Sequence, residues 1–121
     1  MSPQVQLPEV DAVSITLLMD NSIDILMAGS EVVQRFPQRS DLFEHRQPLA
    51  EHGFSALIRV TQGQGTGTVL FDTGLTRQGI LHNSDALEIN LHDVQAIILS
   101  HGHADHAMGI PGLVERLGSR H

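Results

Sequence analysis

The sequence predicts a single α/β domain built on a mixed sheet. Three observations carry this: segments of strand-like alternation, a strand–helix–strand succession in the second half, and a continuous apolar run, Ala96-Ile97-Ile98-Leu99, before a cluster of histidines. The 121 residues suffice for one compact core and are few for two, so residues 1–121 are read as one domain. A composition of 40% hydrophobic and 17% charged residues is that of an ordinary globular chain.

Residues 13–19, Val-Ser-Ile-Thr-Leu-Leu-Met, alternate as a strand that ends at Asp20-Asn21. Residues 23–27 suit a short helix or a short strand equally. From Ala28 the pattern dissolves among Pro37, Pro48, arginines and glutamines, and a long rim loop is expected over about residues 28–53. Residues 54–60 read as a second strand and residues 68–72 as its antiparallel partner, joined by Gly63-Gln64-Gly65-Thr66-Gly67. That glycine run has no helix after it, so a hairpin explains it better than a phosphate-binding loop. Residues 76–87 have helical spacing, and His92-Asp93 reads as local helix or turn chemistry. The apolar run 96–99 predicts a strand buried on both faces. A last helix is opened by Pro111 and stopped by Gly118.

Strand 68–72, helix and strand 96–99 form a βαβ unit, in which the two strands are parallel and finish at one sheet edge. Ligands of open α/β sheets bind outside that edge. Asp72 is therefore expected to face the segment Ser100-His101-Gly102-His103-Ala104-Asp105-His106 across a short gap.

That segment has the chemistry of a metal site. His101 and His103 can point the same way on an extended backbone, whereas on a helix they would diverge by about 200°. Gly102 leaves room beside the main chain. Asp105 and His106 leave in other directions, so the cluster offers two donors to each of two neighbouring ions. Imidazole and carboxylate suit zinc, and also iron or manganese; the chain has no cysteine to add a thiolate. Two divalent ions about 3.5–4 Å apart would generate hydroxide near neutral pH. Asp72 would support a ligand or metal-bound water through a hydrogen bond. The catalytic candidates are therefore Asp105 and Asp72, and the metal candidates are His101, His103, Asp105 and His106.

Composition narrows the partners. Acidic residues outnumber basic ones 14 to 7, for a formal charge of -7, and no basic stripe is present, which argues against nucleic acid. The start lacks a secretory signal, and the apolar run at residues 15–19 is far too short to cross a membrane. A cytoplasmic protein acting on a small-molecule substrate is expected. His45, His82 and His92 read as structural or solvated, His121 as terminal, and His52 as either a pocket residue or a surface cap.

The pattern His-x-His-x-Asp-His after an apolar strand, together with Leu-Phe-Asp-Thr-Gly at residues 70–74, resembles the metallo-β-lactamase superfamily. Glu51-His52-Gly53-Phe54-Ser55-Ala56-Leu57 and Asp20-Asn21 are similar to its dihydropterin ribofuranosylaminobenzene phosphate synthase-like branch of metal-dependent hydrolases. The resemblance implies an αββα sandwich of which this chain is the N-terminal half. It implies His101 and His103 on one ion, Asp105 and His106 on the other, and Asp72 as the strand-end aspartate. Histidine at 103 argues against flavodiiron-type members. The implied activity is metal-hydroxide attack on an ester, amide or phosphoester.

The resemblance also implies later motifs that bring a further histidine to each ion and a bridging aspartate, and residues up to 121 hold none of them. Three expectations compete: a missing C-terminal half, a homodimer that rebuilds the sandwich, or completion by His52 or His82, whose spacing gives the least reason for it. The rival from a different class is a non-catalytic half-domain that acts as an assembly or interaction module with an incomplete metal site.

Overall fold

The structure, a computed structural model, describes residues 2–36 and 46–118. Four strands form one mixed sheet in the order β1-β2-β3-β4: β1 (Ala12–Met19), β2 (Ser55–Gln62), β3 (Gly65–Phe71) and β4 (Ala96–Ile98). The first two pairings are antiparallel, and β3 with β4 is parallel, Val69 facing Ala96 and Phe71 facing Ile98. Helices α1 (Gly79–Ala86), α2 (Ala104–Ala107) and α3 (Ile110–Gly118) complete the fold. This is the α/β architecture expected, with its βαβ unit, and it is consistent with part of a metallo-β-lactamase-type fold.

The pleat sorts the side chains. Residues paired across the ladder share a face, so Leu57 and Leu70 point together into the core with Leu18, Met19, Ile80, Leu91 and Leu113. A bulge between Leu17 and Met19 lets the consecutive Leu18 and Met19 both turn inward. The opposite face carries Val13, Ile15 and Leu17, which stay 53%, 63% and 54% exposed. Its apolar alternation is that of a strand meant to be covered on both sides.

Four expectations are corrected. Residues 23–27 form no regular element beyond a turn at Ile25-Leu26. The hairpin turn is two residues, Gly63-Gln64, with Gly63 at φ +59°, and Gly65, Thr66 and Gly67 already pair in the ladder; main-chain bonds extend a strand whatever its side chains. Helix α1 starts at Gly79 rather than at residue 76. The Glu51 carboxylate takes the N–H groups of Leu75 and Thr76, and Thr76 Oγ1 then accepts from Gly79 N–H (3.0 Å), so the chain is held in a capped loop until that point. Lastly, β4 is exposed, not buried on both faces, with Ile98 at 47%. Among the described residues it pairs only with β3, and the run of apolar side chains marks a surface without a cover.

The rim loop has no regular structure in its described portions, residues 28–36 and 46–53. Its centre, with Pro37 and His45, lies outside the described residues, as does His121. Its return end is fixed by Asn83, a buried side chain of α1. The Asn83 amide donates to the carbonyls of Leu18 (2.6 Å) and Leu49 (2.8 Å), and its oxygen accepts from Leu49 N–H (2.8 Å). His82 Nε2 meets the Gln47 carbonyl beside it at 2.8 Å. Helix α3 is brought close by Gly109, where a Cβ would collide with the Thr73 carbonyl oxygen. Among the described residues no helix is long and apolar enough to cross a membrane.

Removing the Asn83 amide leaves the buried Leu18 carbonyl and the half-buried main-chain groups of Leu49 without this partner. Asn83→Ala is expected to lower stability by about 1–3 kcal/mol, read as a fall in the urea midpoint at unchanged slope.

Candidate metal centre

The site lies at the edge where β3 and β4 end together. Strand β3 stops at Phe71, and Asp72 takes the left-handed conformation (φ 57°), which aspartate tolerates better than most residues. This turn points the carboxylate across the gap to the chain leaving β4. Its four polar groups all find partners. Asp72 N–H donates to the Ile98 carbonyl (2.9 Å), and its own carbonyl accepts from Ser55 Oγ (2.8 Å). Oδ1 accepts from Ser100 N–H, and Oδ2 from Ser100 Oγ and His106 Nδ1, all at 2.7 Å. The sheet-edge juxtaposition expected from the βαβ unit is therefore present.

Burial, with the side chain 1% exposed, pushes the Asp72 carboxyl up. The bonds from Ser100, from its N–H first and its hydroxyl second, and the bond and charge of His106 outweigh that effect and hold the pKa below the ordinary aspartate value. Asp72 is thus a carboxylate and can only accept.

That fixes protons elsewhere. His106 must carry a proton on Nδ1 to serve Asp72, so Nε2 is the nitrogen turned outward. Ser100 has one hydroxyl proton and gives it to Asp72, so its oxygen accepts from His101 Nδ1–H (2.9 Å), and His101 also presents Nε2. One buried carboxylate sets the tautomers of two imidazoles, His106 directly and His101 through Ser100. Ser100 belongs to the segment singled out by sequence, but a serine before the histidines has no readable role of its own until β4 places it on Asp72.

His103 is extended (φ -69°, ψ 152°) and caps α2, a single turn that carries Asp105 and His106. The turn is gripped at its end, where Thr73 N–H (2.7 Å) and Thr73 Oγ1 (3.0 Å) both donate to the His106 carbonyl. The rings of His101 and His103 meet edge to face at 4.6 Å between centroids, and those of His101 and His106 lie 4.3 Å apart. One donor atom each from His101, His103 and Asp105 falls within 4.8 Å of the others, a group that could hold a metal ion. Asp105 Oδ2 is also 3.4 Å from His106 Nε2 and 3.5 Å from His52 Nε2. Asp105 is therefore central, touching the first histidine pair as well as His106. His82 and His92 lie on α1 and on the short 3-10 turn (Leu91–Asp93) and take no part in this grouping.

The donor set fits divalent metal: imidazoles, of which His101 and His106 turn Nε2 outward, and a carboxylate only 27% exposed, with Asp72 behind them. Replacing Asp72 tests the support. Asn tolerates the left-handed backbone but replaces one accepting oxygen by a donating NH2, so Asp72→Asn is expected to cost about 2 kcal/mol near neutral pH. Because the folded-state pKa lies below that of the unfolded chain, about 3.9, the ionised contacts stabilise above that value and are lost as the pH falls through the folded-state pKa. Urea unfolding of chelator-treated protein should therefore show the gap between wild type and variant at pH 6 and its closing below about pH 4. A gap independent of pH would contradict the assignment.

Two comparisons bear on this geometry. A curated relative is the 7,8-dihydropterin-6-methyl-4-(beta-D-ribofuranosyl)-aminobenzene-5'-phosphate synthase of Methanocaldococcus jannaschii, 38% identical over 68 residues. That match takes in 56% of this chain and 23% of the relative, so the chain spans well under half of that protein's length. The family model of the metallo-beta-lactamase superfamily matches residues 50–120, the stretch that holds β2, β3, the Asp72 turn and the whole histidine cluster. With more than half of its length matched in this way, the chain belongs to the metallo-beta-lactamase superfamily.

Proposed function

We propose that this chain carries the centre of a metal-dependent hydrolase, with His101, His103, Asp105 and His106 as metal ligands and an ester, amide or phosphoester of a small molecule as substrate. The observation that carries the reading is the Asp72 network, which turns the Nε2 atoms of His101 and His106 outward beside Asp105. A surface group of polar residues has no need of a buried carboxylate that fixes two tautomers. The relative's name describes a product bearing a 5'-phosphate, which favours a phosphate-bearing small molecule within the substrate range.

Divalent ions held there, zinc first and iron or manganese as alternatives, would lower the pKa of a coordinated water and polarise a carbonyl or phosphoryl oxygen. The protein's own part is orientation. Asp72 acts as a positioning residue: it is buried behind His106 and, by accepting from Nδ1, turns Nε2 outward. Asp105 is the carboxylate on the accessible side, and it meets both halves of the histidine set. The exposed rings of His101 and His103 leave the outer side open to a substrate.

An assembly module with an incomplete site is the second reading, and the exposed Val13, Ile15 and Leu17 face of β1 favours it. Native mass together with metal content separates the two: a metal-free monomer supports the module, and a dimer carrying metal supports a rebuilt catalytic site.

The hydrolase reading predicts that chelator-stripped protein gains activity on generic esters or phosphodiesters when zinc, manganese or ferrous iron is added. His103→Ala with Asp105→Ala should lower that activity by more than the roughly 10–100-fold that loss of a ligand's supporting partner costs. Hydrolysis that survives the double substitution would sink the proposal.

A further inference from the structure

The segment Glu51-His52-Gly53-Phe54 leads from the rim loop into β2 and is tied down on both sides of His52. On one side, Glu51 N–H donates to the Asp20 carbonyl (3.2 Å). The Glu51 carboxylate accepts from Leu75 N–H (3.0 Å), Thr76 N–H (3.2 Å) and Thr76 Oγ1 (2.7 Å). On the other side, Gly53 N–H donates to Asn21 Oδ1 (2.9 Å) and Phe54 N–H to the Asp105 carbonyl (3.2 Å). A Cβ at Gly53 would lie 2.6 Å from that carbonyl oxygen and 3.2 Å from Gly74 Cα, so only glycine lets the two backbones approach this closely.

The result is a histidine delivered to Asp105 by main-chain contacts. The His52 side chain is 75% exposed, so packing does not account for its position. Its Nε2 stands 3.5 Å from Asp105 Oδ2, and His106 Nε2 stands 3.4 Å from the same oxygen. Both separations are long for a hydrogen bond. Each of the two matches the edge of a tetrahedron, about 3.4 Å, spanned by donors 2.0–2.2 Å from a zinc ion, so either imidazole can share an ion with Asp105. An exposed His–Asp pair contributes little stability in itself, so stability gives no reason for clamping both neighbours of His52.

We propose that His52 is a third protein ligand of the ion held by Asp105 and His106. Two imidazoles and one carboxylate of these residues then meet at that ion, donors of the kinds a zinc site uses. The inference rests on the metal reading of the cluster and extends it, because the segment from His101 to His106 alone leaves this ion with two donors. A ligand from the rim-loop side also couples the loop's return end to metal binding.

The test uses the full chain, stripped of metal and titrated with zinc, with affinity read by competition with a chromophoric chelator and bound metal counted after dialysis. His52→Ala and His52→Gln are expected to weaken one class of zinc binding by about tenfold or more, the scale of losing a conserved element of a site, while thermal midpoints of the metal-free proteins stay unchanged. In ¹⁵N spectra of the wild type, the His52 imidazole signals should move on zinc addition, and in Asp105→Ala they should not. Zinc binding unchanged in both His52 variants, with unmoved His52 signals, would overturn the proposal and leave the metal centre standing. A wild type that binds no zinc, or binding that survives His103→Ala with Asp105→Ala, would instead overturn the metal reading itself and this inference with it.

Discussion

The Asp72 carboxylate is the interaction on which the rest of the site depends. A buried charge is tolerated only when its acceptor capacity is filled. Here Ser100 and His106 fill it, and they belong to the chain that leaves the neighbouring strand. The parallel pairing of β3 and β4 is what brings them within reach, and the carboxylate in turn holds the departing chain against the sheet edge. Fold and site thus constrain each other: moving β4 by one residue relative to β3 would reverse which face each side chain occupies and leave the charge unpaired.

The loop from Asp72 to Thr76 extends the same logic to His101, His106 and the segment that carries His52. Asp72 sets His106 and, through Ser100, His101; Thr73 holds the carbonyl end of the α2 turn. Gly74 N–H binds the Phe54 carbonyl, and Leu75 and Thr76 bind Glu51, so the segment carrying His52 is tied to the same five residues. Exposed imidazoles cannot be oriented by burial. They are oriented here by hydrogen bonds from a loop that is itself half inside the protein, which removes part of the ordering cost that ligand binding would otherwise carry.

Much of this was legible in the chain of residues, and the boundary of legibility has a physical cause. Strands β1 to β3 and the βαβ unit follow from local periodicity and turn chemistry, and the His101-to-His106 segment concentrates metal-binding side chains within six residues. Asp72 could be placed opposite the cluster because parallel strands share an edge. Ser100, Glu51 and Asn83 could not be placed, since their roles exist only where two distant segments meet and a serine, glutamate or asparagine is common in any loop. His52 is the sharpest case: nothing in its spacing directs it to Asp105, and the tertiary contact through Gly53 does. The exposure of β4 was misread because an apolar run reports what a strand is suited to, not what covers it.

The two faces of the sheet show how local chemistry and assembly divide. The helical face carries the closed core of Leu18, Leu57, Leu70, Ile80 and Leu113, and the loop network hangs from the edge of that closed layer. The other face presents apolar β1 side chains outward, so a second layer laid on it would bury hydrophobic surface without touching the Asp72 network. His101 and His106 need no such layer for their orientation, because Asp72 and Ser100, which hold them, lie in the edge loops. A covering layer can therefore add donors and bury the sheet while leaving the tautomers set by Asp72 as they are. Orientation of the His101 and His106 rings comes from the Asp72 network, and shielding of the sheet is a separate matter of the opposite surface.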